Sequence, residues 1–125
     1  MDSLPNLPKQ KKKREADVTP RVLAWFKENH AGSCAIEVKA TNTGSIPESA
    51  LLPHQKQALL DVIHGTLTHK IADTGRRLPF DAFMLQGLPA YVVACFTKHG
   101  VAQVYSVEQW KGAKYDSFAP VDFKL

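Results

Sequence analysis

Between residues 34 and 40 the chain alternates apolar and charged side chains, and this alternation constrains the fold more than any other feature. Successive side chains of a strand point to opposite faces. Ile36, Val38 and Ala40 therefore share one face, and Glu37 and Lys39 the other. The apolar face anchors the strand in a core, so neighbouring segments must supply a covering layer.

The flanking patterns supply helices. Thr19 is an N-cap residue and Pro20 suits a first helical position, which predicts a helix through Asn29. Its broad apolar stripe is Val22, Leu23, Trp25 and Phe26, and residues 30–33 break it. Residues 41–52 read as a polar loop containing Gly44 and Pro47. A second helix is predicted from Pro53 to His64, with Ala58, Leu59, Val62 and Ile63 inward and Gly65 as its stop. Residues 66–79 read as a polar surface segment. A hairpin is then expected, residues 81–85 against 90–96 around a turn at Gln86-Gly87. A further strand, 101–107, follows the turn at His99-Gly100, residues 108–113 form a short helix, and the end is irregular. No internal repeat is visible. Helix, strand, helix and three strands give an α/β fold: a small mixed sheet flanked by helices.

A chain of 125 residues supports one core. No apolar run nears the roughly 20 residues of a membrane span, and no secretory signal pattern opens the chain. Cys34 and Cys95 stand apart in apolar runs, which predicts free buried thiols, no cysteine zinc site and a reducing, cytoplasmic setting. The net charge of +4 is concentrated in Lys9, Lys11, Lys12, Lys13 and Arg14. Residues 1–17 accordingly read as a disordered basic tail and residues 18–125 as the domain. Such a run serves either as an arm on nucleic-acid phosphates or as a solubilising terminus.

Glu37 and Lys39, side by side on one strand face, are what phosphodiester hydrolysis requires. The carboxylate offers oxygen ligands to Mg²⁺, and the ammonium can orient a water and offset phosphorane charge. Alone, Glu-x-Lys is a weak pattern, because any alternating surface strand produces it and closes it as a salt bridge.

The wider context is more specific. Ala35-Ile36-Glu37-Val38-Lys39-Ala40-Thr41, then Ser45-Ile46-Pro47, then His54-Gln55 entering a helix, resembles the PD-(D/E)xK nuclease superfamily, and within it the RecU-like and phage Holliday-junction resolvases. The likeness covers residues 34–60 and, more loosely, 79–96. It implies a restriction-endonuclease-like fold, Glu37 as a metal ligand, Lys39 as the catalytic lysine, and Gln55 at the edge of the site, contacting the lysine, water or phosphate. It also implies Mg²⁺ as the cofactor, with Mn²⁺ as a substitute, and DNA, branched or junction DNA in particular, as the substrate.

One departure stands out. The superfamily places a Pro-Asp element ahead of the Glu-x-Lys strand, whereas the acids just upstream here are Asp17 and Glu28. The replacement expected is Asp81, in Pro79-Phe80-Asp81, on a hairpin displaced downstream as in a permuted or minimal variant. Asp73 is the second choice, and Glu28 an additional ligand or a solvated acid. Asp81 equally well initiates a strand.

Lys70, Arg76 and Arg77 are expected to grip DNA phosphates, or to be plain surface cations. His54 is a proton shuttle or packs locally. His64 and His69 lack zinc-like spacing, and Trp25, Trp110, Tyr91 and Phe96 read as core. The expectation is a Mg²⁺-dependent endodeoxyribonuclease resolving branched DNA, as a two-fold dimer if junctions are the substrate. The alternative is a non-catalytic nucleic-acid-binding accessory module that keeps the nuclease fold.

Overall fold

The computed structural model describes residues 14–71 and 80–125. Helix α1 (Glu15–Asn29) leads into strand β1 (Ala35–Thr41), a short strand β2 (Ser45–Ile46), a 3-10 turn and helix α2 (Pro53–His64). Strands β3 (Thr66–Lys70), β4 (Ala82–Gln86), β5 (Ala90–Phe96) and β6 (Val101–Ser106) follow. A second 3-10 turn and the short strands β7 (Ala113–Lys114) and β8 (Phe123–Lys124) close the order. The fold is mixed α/β, with a four-stranded sheet in the order β1-β5-β6-β8. β1 runs parallel to β5, and the other pairs are antiparallel.

β5 explains the architecture. Val92 to Phe96 are all fully buried, so this strand needs cover on both faces and pairing on both edges. On one face α1 supplies Val18, Val22 and Phe26 against Val93, Cys95, Ala102 and Phe123. Ile36, Val38 and Ala40 of β1 join this cluster, as the alternation predicts. On the other face Leu59 and Val62 of α2 meet Val92, Ala94 and Phe96, with Trp110 and Ile46 filling in. Each Val, Leu or Phe among them contributes about 1.5–3 kcal/mol when wholly buried.

Helix α2 has the predicted bounds, with Pro53 at its start and Gly65 at its C-cap. Helix α1 opens earlier than Thr19. Arg14 is its N-cap, and the Arg14 N–H donates to the Asp17 carboxylate at 2.8 Å. The expected boundary after residue 17 therefore lies too far along, since Glu15–Asp17 are already helical. Pro20 sits inside the helix, where it forgoes the hydrogen bond to the Ala16 carbonyl. Val18, Val22 and Phe26 form the buried stripe, Leu23 is exposed, and Trp25 stacks on Phe123 with ring centroids 4.9 Å apart.

The expected hairpin of residues 81–85 with 90–96 does not form. β4 pairs with β3 in a separate two-stranded ribbon, because both edges of β5 are taken by β1 and β6. Residues 87–89 carry the chain across: Leu88 N–H donates to the Val62 carbonyl at 3.0 Å, and the Pro89 carbonyl accepts from Ala35 N–H at 3.0 Å. β3 itself lies where a polar surface segment is expected. Residues 107–109 form only a 3-10 turn, so the short helix over 108–113 is also replaced. Gly112, at φ +88°, lets that stretch lie against β2: a Cβ there would meet the Ile46 carbonyl oxygen at 2.8 Å. Among the described residues no helix is long and apolar enough to cross a membrane.

Candidate active site

β1 is an edge strand of the main sheet, and its register with β5 sets Glu37 opposite Val92 and Lys39 opposite Ala94. Val92 and Ala94 belong to the cluster under α2. Glu37 and Lys39 thus lie on the α2 face, while Ile36 and Val38 turn toward α1. The charged pair sits where the apolar layer ends.

Its geometry is fixed by three contacts. Lys39 Nζ lies 3.4 Å from Glu37 Oε1 and donates to Gln55 Oε1 at 2.9 Å. The same Gln55 oxygen accepts the Leu52 backbone N–H at 3.1 Å. Gln55 is the third residue of α2, where a Gln side chain can fold back on the N-cap backbone and satisfy an otherwise unpaired donor. The helix cap and the lysine tether are one atom. Contact with the lysine is among those expected of Gln55; its second role as the helix cap is the part the sequence reading omits, and the signal for it is a Gln at the third helical position of a helix begun by Pro53.

The Lys39 side chain is only 12% exposed and that of Glu37 30%. An ammonium so far withdrawn from water needs strong acceptors, and a carboxylate plus an amide oxygen provide them. Lys39 therefore has a defined position, unlike the mobile end of a solvated lysine. Glu37 keeps part of its carboxylate open to solvent. The arrangement can present a fixed cation and hard oxygen donors together, at one edge of a sheet.

Of the other expected site residues, those that the structure describes lie on other elements. Asp81 is exposed and immediately precedes β4, and its backbone carbonyl accepts the Ile71 N–H at 2.7 Å. It belongs to the β3–β4 ribbon, so pairing within the main sheet does not bring it beside β1; β5 holds that place. The ribbon packs against α2, the helix that carries Gln55, through Leu67 and Leu85. Glu28 is exposed on α1, which covers the opposite face of the sheet. Lys70 ends β3 and is exposed, and is not in the expected loop. Arg14 caps α1. Asp73, Arg76, Arg77, Lys9, Lys11, Lys12 and Lys13 lie outside the described residues. Among the described residues no three His, Cys, Asp or Glu side chains are grouped to hold one metal ion.

His54 is exposed in the first turn of α2, and His64 lies 3.5 Å from a Glu108 carboxylate oxygen. Neither touches the Glu37–Lys39–Gln55 trio through a hydrogen bond among the described residues. Both cysteines are free thiols. Burial, and secondarily the charge of Glu15, pushes Cys95 up to about 12, and burial also raises Cys34. They are protonated packing residues near neutral pH, poorly suited to metal binding. Trp110 and Phe96 are buried as expected, and the Trp110 indole N–H donates to the Glu48 carbonyl at 3.1 Å.

Comparison with known proteins finds no match: no family model, curated protein or solved structure aligns significantly with this chain.

Proposed function

We propose that this protein is a divalent-metal-dependent endonuclease hydrolysing DNA phosphodiesters, with branched DNA as its substrate. The observation that carries the proposal is the tethered lysine: Lys39 Nζ held between Glu37 Oε1 and Gln55 Oε1 at the edge of the core. A plain surface ion pair has no need of a part-buried amide acceptor drawn from another element.

The donor chemistry suits a hard cation, since Glu37 offers carboxylate oxygens of which Lys39 engages one. Glu37 would hold Mg²⁺, or Mn²⁺ in its place, together with Asp81 and with water and phosphate oxygens. Asp73 is the other candidate for the second acid. When bound, such an ion polarises the scissile phosphate and lowers the pKa of a coordinated water. Lys39 fixes the attacking water by hydrogen bonding and offsets negative charge as the phosphorane forms. The water oxygen forms the new P–O bond, an ester oxygen leaves, and a proton passes from water to solvent. Gln55 holds the ammonium in line and does not itself react. Lys70, Arg76, Arg77 and the basic residues Lys9 to Arg14 would contact phosphates along the duplex. Paired cuts at a junction require two sites, hence a two-fold dimer.

A second reading is a non-catalytic DNA-binding module. Its supporting observation is that Asp81 belongs to a different β ribbon from Glu37, so that the sheet alone does not pair the two acids. One assay separates the readings: a panel of duplex, flap, fork and four-way-junction DNA, with Mg²⁺ or with EDTA. Cleavage is expected with Mg²⁺ alone, and Glu37→Ala and Lys39→Ala are expected to abolish it while leaving the fold and DNA affinity largely intact. DNA binding without cleavage of any panel member favours the module, and cleavage retained in either variant removes the assigned site.

A further inference from the structure

β1 ends the main sheet, and among the described residues no strand lies along its outer edge. The hydrogen bonds at its two ends fix which backbone groups that edge presents. The Ala35 N–H donates inward to the Pro89 carbonyl at 3.0 Å, and the Thr41 carbonyl accepts inward from the Thr97 N–H at 2.9 Å. Alternate residues of a strand turn both backbone groups the same way, so Ala35, Glu37, Lys39 and Thr41 serve β5. Ile36, Val38 and Ala40 turn theirs outward, where no described residue pairs with them. The usual guards of a sheet edge are missing too. β1 contains no proline, and its lysine is held inward by Gln55. A large apolar side chain, Leu23, is 52% exposed on the same side of the molecule. Arg21 and Trp25 set one flank of α1 against β8, through the Lys124 carbonyl and the Phe123 ring. Leu23 lies on the opposite flank, which is turned toward β1.

The residues of this edge select what fits it. A strand pairs with its own antiparallel copy about a two-fold axis, and both copies bond only when that axis passes an outward-turned residue. With the axis at Val38, Val38 meets its counterpart and Ile36 meets the partner's Ala40, so every outward N–H and carbonyl finds a partner. Glu37 then falls directly opposite the partner's Lys39, in the closely spaced position where side chains approach most. An axis at Ile36 or Ala40 sets neither charge opposite its complement. Any extended peptide could satisfy the backbone groups, but opposite charges spaced evenly about Val38 single out the chain's own copy. β1 carries one acid and one base, so the edge itself is neutral and does not repel its copy. We infer that the outer edge of β1 is a self-association surface, at which a second copy pairs antiparallel about Val38 to form one continuous sheet. Both copies of α1 then lie on one face, with their Leu23 flanks toward each other. Lys39 stands between its own Glu37 and the partner's, so the second copy adds a carboxylate to the candidate site. The inference stands on the edge alone and holds whether or not the chain cuts DNA, a reading that calls for a two-fold dimer without naming its surface.

The test is amide hydrogen exchange, read by NMR on the full chain without DNA, beside sedimentation equilibrium over the same concentrations. A concentration-dependent dimer is expected, in which the Ile36, Val38 and Ala40 amides exchange slowly. On dilution to monomer those amides should exchange at least about tenfold faster. The Glu37 and Lys39 amides, bonded to β5, should stay protected throughout. Ala40→Pro removes an outward N–H that β5 does not use, and should abolish the dimer while circular dichroism shows the fold retained. Glu37→Lys should weaken dimerisation about tenfold by placing like charges opposite each other, and adding Lys39→Glu should restore it. The exchange measurement uses the unaltered chain, so it decides the matter even where a variant fails to fold. A chain that stays monomeric overturns the inference, as does a dimer whose Ile36, Val38 and Ala40 amides exchange at the monomer rate. Undiminished dimerisation by a folded Glu37→Lys chain overturns it as well. None of these results bears on DNA cleavage, which the substrate panel decides separately.

Discussion

The two faces of the central sheet are built on opposite terms. Under α1 the buried layer is apolar, from Val18, Val22 and Phe26 to Cys95 and Phe123, and its polar contact at the rim is the uncharged pair of His30 Nε2 and the Tyr91 hydroxyl, 3.1 Å apart. Under α2 the centre is equally apolar, yet at the β1 edge it gives way to Glu37 and Lys39, locked to Gln55. Both helices bury a stripe, but only α2 also places a polar side chain of its first turn into the rim. The first face supplies stability that tolerates little change. The second uses that rigid backing to hold a charged group still, which is what a preorganised site needs.

The contrast can be broken most forcefully on the α1 face. Phe26→Ala deletes a buried ring and should cost about 3–5 kcal/mol in a urea or thermal unfolding experiment. A cost below about 1 kcal/mol would mean that α1 is not the lid of that layer. Gly112→Ala probes the α2 side away from the charged trio. The positive φ and the approach of the Ile46 carbonyl leave no room for a methyl, so a loss of about 2 kcal/mol or more is expected by the same assay.

Smaller effects sharpen the comparison at the rim. Gln55→Leu removes the acceptor shared by Leu52 N–H and Lys39, and should lower stability by about 1 kcal/mol while loosening the lysine. Lys39→Met keeps the aliphatic stem and should shift stability by no more than about 1 kcal/mol, because Glu37 retains access to solvent. If Lys39→Met instead unfolds the chain, the pair is structural. A pH dependence on the α1 face is confined to alkaline solution and is absent near neutral pH. The Cys95 thiol moves from 9.0 to about 12 in the folded chain, so above pH 9 the unfolded chain ionises first. Stability should therefore fall as pH rises from about 9 toward 12, by at most one proton's worth of slope, and Cys95→Ala should remove that component.

Much of this was legible in the residues. α2 announces itself by Pro53, the Leu59 and Val62 spacing and Gly65, and β1 by strict alternation, so the shared face of Glu37 and Lys39 follows from local periodicity. The ribbon is less legible. Thr66-Leu67-Thr68-His69-Lys70 has a single apolar member, and nothing local shows that Gln86-Gly87 is followed by a crossing instead of a return. That choice is made at long range, by the competition of β1 and β6 for the edges of β5. Thr19-Pro20 imitates a helix start although Glu15 is already helical; the 18, 22, 26 spacing was the better signal. The tether on Lys39 was legible in outline, through Gln55, but its shared use with the Leu52 N–H is a matter of cap geometry.

The most direct test of the metal-site account is an anomalous diffraction map of crystals grown with Mn²⁺ and an uncleavable DNA fork. The account predicts a peak about 2 Å from a Glu37 carboxylate oxygen, shared with a second acid from the segment that ends at Asp81, and close to Lys39 Nζ. A Mn²⁺ peak that avoids Glu37, or none at all while the fork is bound, would contradict it.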